Sequence, residues 1–151
     1  MKKVQYRVLM MAFLGFLFIS ASASFAQTKV LTLSGTDAMQ FDTKEFKVKA
    51  GQKIKLTFKH AGKYAKQAMG HNFVLLKSGT DIADFASKAN LARDNDYIPK
   101  SEASKIIAHT KLLGGGESDT IEFTAPKKGV YPYICSFPGH YGLMQGKFIV
   151  E

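Results

Sequence analysis

Cys135-Ser136-Phe137-Pro138-Gly139-His140-Tyr141-Gly142-Leu143-Met144 holds the only cysteine of the chain, a histidine five positions on and a methionine four beyond that. Pro138 and Gly139 between the first two predict a tight loop, not a helix. A second histidine, His71, follows Met69-Gly70 far upstream. Two imidazoles, one thiolate and one thioether suit copper: a trigonal His2Cys set with a long axial Met is the donor set of copper electron-transfer sites. Thiolate and thioether favour Cu(I), and imidazole serves both valences. With Cys135, His140 and Met144 on one loop and His71 on a separate strand, the site is expected at one end of the fold. Gly70 would let the backbone approach the metal. Asn72 and Ser136 each adjoin a ligand, and a hydrogen bond between them would brace the two segments.

The segments around these residues read as short strands. Val30–Leu33 is the first. Phe46 and Val48 alternate with Lys47 and Lys49, and Ile54, Leu56 and Phe58 alternate with Lys53, Lys55, Thr57 and Lys59. Such period-two alternation buries one face and wets the other, and outward lysines oppose edge pairing. A loop is expected from His60 to Gly70, then a strand over His71–Leu76. Ile82, Phe85, Ala86 and Ala89 fall on one helical face, with Asp81 at its positive end, so residues 80–104 read as a helical flap inserted between strands. Strands resume at 105–109, 120–124, 130–135 and 147–150. Pro132 predicts an edge or a bulge in its strand. The triple glycine Gly114–Gly116 is a flexible turn, not a phosphate loop, since no Lys-Ser/Thr follows it. Seven or eight short strands separated by turns predict an all-β, Greek-key β-sandwich with a short helical insertion.

The start of the chain follows different rules. Lys2, Lys3 and Arg7 precede an apolar run over 8–19, and small residues follow up to Ala26. This is the pattern of a cleavable secretory signal peptide over 1–26, with one domain over 27–151. The run is shorter than the ~20 residues that span a bilayer, and no cysteine follows it, so no stable membrane anchor is expected. Loss of those three charges takes the formal net charge from +9 to +6. A basic surface favours acidic partners or an anionic membrane face. The lysines are spread along strands, which together with export argues against nucleic acid. With one cysteine no internal disulfide can form, and a lone thiol in an oxidising compartment is a liability unless buried or metal-bound.

Met69-Gly70-His71-Asn72, Ile107-Ala108-His109-Thr110-Lys111, the loop Cys135-Ser136-Phe137-Pro138-Gly139-His140 and Leu143-Met144-Gln145-Gly146 resemble the azurins, small blue copper proteins of the cupredoxin family. Ala38-Met39-Gln40-Phe41 resembles their early strand. The resemblance covers roughly Leu33 to Glu151. It implies a periplasmic one-electron carrier with one copper ion, His71, Cys135 and His140 as equatorial ligands, Met144 as a weak axial ligand and the Gly70 carbonyl opposite it. It also implies c-type cytochromes or periplasmic reductases as partners, and a monomer or a weak, transient dimer is expected. Two features depart from the family: azurins usually carry a disulfide near the start of the mature chain, and often a buried Trp after the His-Asn pair, where Phe73 stands here. Other contacts must then replace a staple whose removal can cost about 2–5 kcal/mol.

Phe137, Pro138, Tyr141 and Leu143 would give the ligand loop an apolar outer face, with Met39 and Met69 on its rim, as a docking surface for a redox partner. His60 is expected to be structural or pH-responsive near the loop, and the resemblance adds that its protonation tunes the copper potential. His109 is expected at the surface without a role. Competing functions are a thiol hydrolase, which lacks an obvious group to orient the histidine, a copper oxidoreductase, which would need a second site, and a copper-binding or storage protein without a redox partner.

Overall fold

In the computed structural model, which describes residues 27–151, the alternation is clearest in β4 (Lys53–His60). Ile54, Leu56, Phe58 and His60 are buried there, while Lys53, Lys55 and Lys59 face solvent. The proposed signal peptide, 1–26, lies outside the described residues. Four strands form one sheet in the order β2 (Gln40–Phe41), β1 (Lys29–Thr36), β4 and β7 (Ser118–Thr124). Five form the other: β3 (Glu45–Val48), β9 (Gln145–Val150), β8 (Gly129–Ile134), β5 (Val74–Leu76) and β6 (Ile106–His109). β1 runs parallel to β4 and β3 parallel to β9; the other strand pairs are antiparallel. The two layers are the expected sandwich with crossing connections.

The inward rows meet in one core. Leu31, Leu33, Leu56 and Phe58 from the first sheet pack against Phe46, Tyr133, Phe148 and Val150 from the second. Each such side chain, fully buried, stabilises the fold by about 1.5–3 kcal/mol. Tyr133 is the hub, with ring centroids 5.6, 5.7 and 5.4 Å from those of Phe41, Phe46 and Phe73. Its hydroxyl donates to the Thr43 carbonyl at 2.6 Å, so the buried polar tip is satisfied. Phe73 is fully buried and fills the core beside Tyr133.

The outer face of the second sheet carries its own cluster. Val74, Leu76 and Ile134 are covered by Phe85 and Ala89 of helix α2 (Ile82–Asn90) and by Ile98. Asp81 caps α2, its Oδ1 accepting from the Asp84 N–H at 3.0 Å. Two 3-10 turns, Arg93–Asn95 and Lys100–Lys105, complete the flap. Buried Glu102 sits between Lys88 (2.8 Å) and Lys105, and Lys88 also reaches Asp84 at 2.9 Å, so charges tie α2 to the second turn. The Lys105 ammonium, then that of Lys88, holds the Glu102 carboxyl below its usual range.

Four expectations change. The loop from His60 to Gly70 contains a helical turn, α1 (Lys66–Met69); Lys, Gln, Ala and Met are all good helix formers, and Gly70 ends it. The strand over His71–Leu76 shrinks to Val74–Leu76. His71 keeps only an isolated bridge to Leu113, and the Phe73 N–H is taken by the Thr110 hydroxyl at 3.0 Å, which replaces the ladder there. β8 is an inner strand despite Pro132, because β5 pairs only with Tyr133 and Ile134 and stops before the proline. Finally, the lysines of β4 do not guard an edge, since β4 lies between β1 and β7; they line the outer face of its sheet.

Candidate metal centre

The ligand loop is closed on itself by backbone hydrogen bonds. The Cys135 N–H donates to the Met144 carbonyl at 3.0 Å, the Met144 N–H to the His140 carbonyl at 2.8 Å and the His140 N–H to the Phe137 carbonyl at 3.1 Å. Gly139 sits at φ +79°, a left-handed turn position that side chains rarely adopt. Gly70 is placed by crowding: a Cβ there would stand 2.6 Å from the Lys66 carbonyl oxygen and 2.9 Å from Phe137 Cδ2. Its own carbonyl oxygen lies 3.9 Å from Cys135 Sγ.

His71 is oriented from behind. Its Nε2–H donates to the Thr36 carbonyl at 2.9 Å, which leaves the Nδ1 lone pair free for a metal. Nδ1 lies 3.1 Å from His140 Nδ1 and 3.9 Å from Cys135 Sγ, and His140 Nδ1 lies 3.7 Å from the same sulfur. The point equidistant from these three atoms is about 2.1 Å from each, close to a metal–imidazole bond and slightly short of a metal–thiolate bond. The donors therefore fit one first-row ion with little movement. His71, Cys135 and His140 are the one such group of metal-binding side chains among the described residues, and all are buried. Met144 is fully buried beside them; its Cε and His71 Cδ2 converge within 3.1 and 3.2 Å of where a Gly35 Cβ would be.

Electrostatics keep the donors neutral until a cation arrives. Burial pushes the Cys135 thiol up to about 12, although the backbone N–H groups of Asn72 and Phe137 favour the thiolate. Burial, then the charge of nearby His60, lowers His71 to about 4 and His140 to about 4. Both imidazoles thus offer lone pairs at neutral pH, and a bound cation would drive off the thiol proton.

The expected brace is present and doubled. Asn72 Nδ2 donates to Ser136 Oγ at 2.8 Å, and Asn72 Oδ1 accepts from the Ser136 N–H at 2.8 Å. Phe137 is buried against the His140 ring, with centroids 4.7 Å apart, and its other side meets the Tyr97 edge at 5.1 Å.

His60 is closer to the site than the sequence indicated. It is buried and stacked on the His71 ring, centroids 4.3 Å apart and 24° from parallel. Its Nδ1 lies 3.1 Å from the Gly62 N–H and its Nε2 2.7 Å from the Met69 carbonyl oxygen, so both ring nitrogens are engaged by backbone and the ring is a fixed spacer, not a ligand. His109 is exposed. Met39, Met69 and Pro138 are half-buried, and Leu143 is 55% exposed. Tyr141, grouped with them from sequence, leans on the α2 cluster. Thr36 and Thr110 were not singled out from sequence: the first acts through its backbone, and the second gives no signal beyond its neighbourhood with His109.

A two-sheet sandwich with a buried His2Cys triangle and a methionine at one end defines a cupredoxin with the pattern of a type 1, or blue, copper site. A family model described as copper binding proteins, plastocyanin/azurin family, matches residues 28–151, and the chain belongs to that family. It is 44% identical over 122 residues to Azurin-1 of Alcaligenes xylosoxydans xylosoxydans, covering 76% of this chain and 91% of that protein. Among solved structures, a dithionite-reduced auracyanin from Roseiflexus castenholzii superposes with a TM-score of 0.74 at 36% identity, covering 82% of this chain and 97% of that one. An azurin from Methylomonas sp. strain J gives 0.73 at 34% identity, covering 82% and 98%. Copper is the cofactor of this chain.

Proposed function

We propose that the protein is a periplasmic one-electron carrier in which His71, Cys135 and His140 would hold one copper ion, with Met144 and the Gly70 carbonyl as weak further donors. The observation that carries this is the donor triangle: it is already metal-sized while the side chains are fixed by Thr36, Asn72 and Ser136. Copper supplies the change of valence. The chain's part is to hold the donors still, so that neither oxidation state requires the ligands to rearrange. Burial excludes water, and the N–H groups of Asn72 and Phe137 stabilise negative charge on sulfur. Electrons would pass through the face around His140, which is only 4% exposed and is flanked by Pro138 and Leu143. Partners of the c-type cytochrome or periplasmic reductase class would dock there with a monomer.

The test is the visible spectrum of Cu(II)-loaded protein with Cys135→Ser alongside. An intense blue band that vanishes in the variant is expected. A colourless wild-type protein that binds copper weakly refutes the assignment and restores the storage alternative.

A further inference from the structure

The end of the sandwich opposite the copper site is a cationic pole. Four chain segments converge there through backbone and side-chain hydrogen bonds. The Ala50 N–H donates to the Glu151 carbonyl, the Gly51 N–H to the Ala125 carbonyl and the Ala125 N–H to the Gln52 carbonyl, while Gln52 Nε2 holds the Gln27 carbonyl at 3.1 Å. The start of β1, the β3–β4 turn, the β7–β8 turn and the last residue therefore share one surface. Lys29, Lys49, Lys53, Lys127 and Lys128 lie on these segments, and Lys77 lines the same cavity as Lys127, of about 300 Å³. None of the six forms an ion pair among the described residues. The acids near it are few: Glu122, already paired with Lys55 at 3.5 Å, Glu151, and Asp81 just past the Lys77 turn.

The copper end is unlike it. There Lys66 pairs with Glu117 at 3.8 Å, and although Lys59, Lys63, Arg93 and Lys111 form no ion pair among the described residues, Asp37, Asp94, Asp96 and Asp119 stand among them. The excess positive charge of the molecule is thus concentrated away from the metal, with the length of β4, about 23 Å from Lys53 to His60, between the two.

We propose that this pole is a peripheral docking surface for an anionic phospholipid bilayer, and that it holds the protein with its copper end facing away from the membrane. Charge complementarity is the first argument: each lysine near an anionic surface adds about 1 kcal/mol of attraction, and a cluster acts together. The second is where the preceding chain attaches. Residues 1–26, with Lys2, Lys3, Arg7 and the apolar run over 8–19, join the domain at Gln27, inside the pole. If residues 1–26 act as an export signal, the lysine-rich end is the part of the domain that follows them directly. Apolar anchoring is not involved, so adsorption is reversible and screened by salt.

The experiment uses the copper-loaded chain from Gln27 onward, which contains both sheets and both apolar clusters. Its sedimentation with vesicles of phosphatidylcholine containing about 30 mol% phosphatidylglycerol is compared with pure phosphatidylcholine, at about 20 mM and about 500 mM salt. Retention on anionic vesicles only, lost at the higher salt, is expected. Lys49→Gln/Lys53→Gln/Lys127→Gln/Lys128→Gln should weaken binding by about tenfold or more, while Lys59→Gln/Arg93→Gln/Lys100→Gln/Lys111→Gln, of equal net charge, should change it by no more than about threefold. Unchanged thermal midpoints and blue spectra show that both variants fold. No retention at low salt overturns the proposal and leaves an acidic protein as the occupant. Equal losses in the two variants overturn it as well, because net charge alone would then explain the binding. Neither outcome bears on electron transfer, which is read from the spectrum.

Discussion

Asn72→Ala removes the strut between the two halves of the copper site, and its cost can be worked from the contacts. Asn72 exchanges two hydrogen bonds of 2.8 Å with Ser136, one to the hydroxyl and one from the backbone N–H. A third contact, from Nδ2 to the Asp96 carbonyl at 3.4 Å, is long and adds little. Both bonds to Ser136 are buried, so deletion loses two bonds of about 1 kcal/mol each and strands the Ser136 N–H, an orphaned donor costing a further 1–3 kcal/mol or so. The expected loss is about 3–5 kcal/mol. Ser136→Ala deletes only the hydroxyl. It leaves the backbone bond intact and Nδ2 with a fallback acceptor in Asp96, and is expected to cost about 1 kcal/mol. The assay is guanidinium unfolding of the metal-free proteins, with the Cu(II) spectrum as a second readout, broadened in Asn72→Ala because the Cys135 segment is no longer tied to that of His71. Equal destabilisation by the two substitutions would refute the reasoning, since it would mean that the backbone donor contributes nothing.

Met144→Leu, nearly isosteric in a fully buried position, should cost less than about 1.5 kcal/mol, keep the blue band and raise the potential, because a less polar site disfavours the more highly charged Cu(II); Met144→Ala should cost about 2–5 kcal/mol through the cavity. Paired voltammetry and unfolding curves separate the two effects. The metal-free protein should lose stability as pH falls from about 6.5 to about 4: His71 and His140 are held at about 4 in the folded state, so the unfolded chain binds more protons across that window. The loss approaches about 3 kcal/mol per imidazole, and a pH series of urea midpoints measures it. Gly70→Ala places a methyl 2.6 Å from the Lys66 carbonyl oxygen, so it should displace α1 and destabilise by about 1–3 kcal/mol; a thermal midpoint within a degree or so of wild type would contradict this.

Much of the site was legible because its information is local. Cys135, His140 and Met144 lie within ten positions, and the Gly70-His71-Asn72 run supplies the complement. The alternation in β4 and the helical face of α2 were legible for the same reason, since each pattern resides in one segment. What escaped depends on distant partners. Nothing in the local pattern of β1 or β3 tells that each pairs in parallel, with β4 and β9 respectively. Thr36 orients His71 with a carbonyl, a group every residue has. His60 looks like any histidine at a strand end until β1 and β4 bring it over the His71 ring. Pro132 misled because proline reports a missing N–H at one position, and β5 is short enough to avoid it. Tyr141 carried a polarity signal but no direction; the flap, 37 to 61 positions earlier, decides which way it leans.

The backbone bond from Cys135 to Met144 closes a ten-residue ring that carries three of the four donors. Such a short ring closes on a sub-microsecond scale, whereas His71 arrives only when β5 meets β8, about sixty residues apart in the chain. The denatured chain should therefore keep a partial chelate of its own, and copper should bind both ends of the folding equilibrium. Saturating metal consequently raises the unfolding midpoint by less than the native affinity alone would give, the shortfall measuring how tightly the loop grips the ion without its fourth arm.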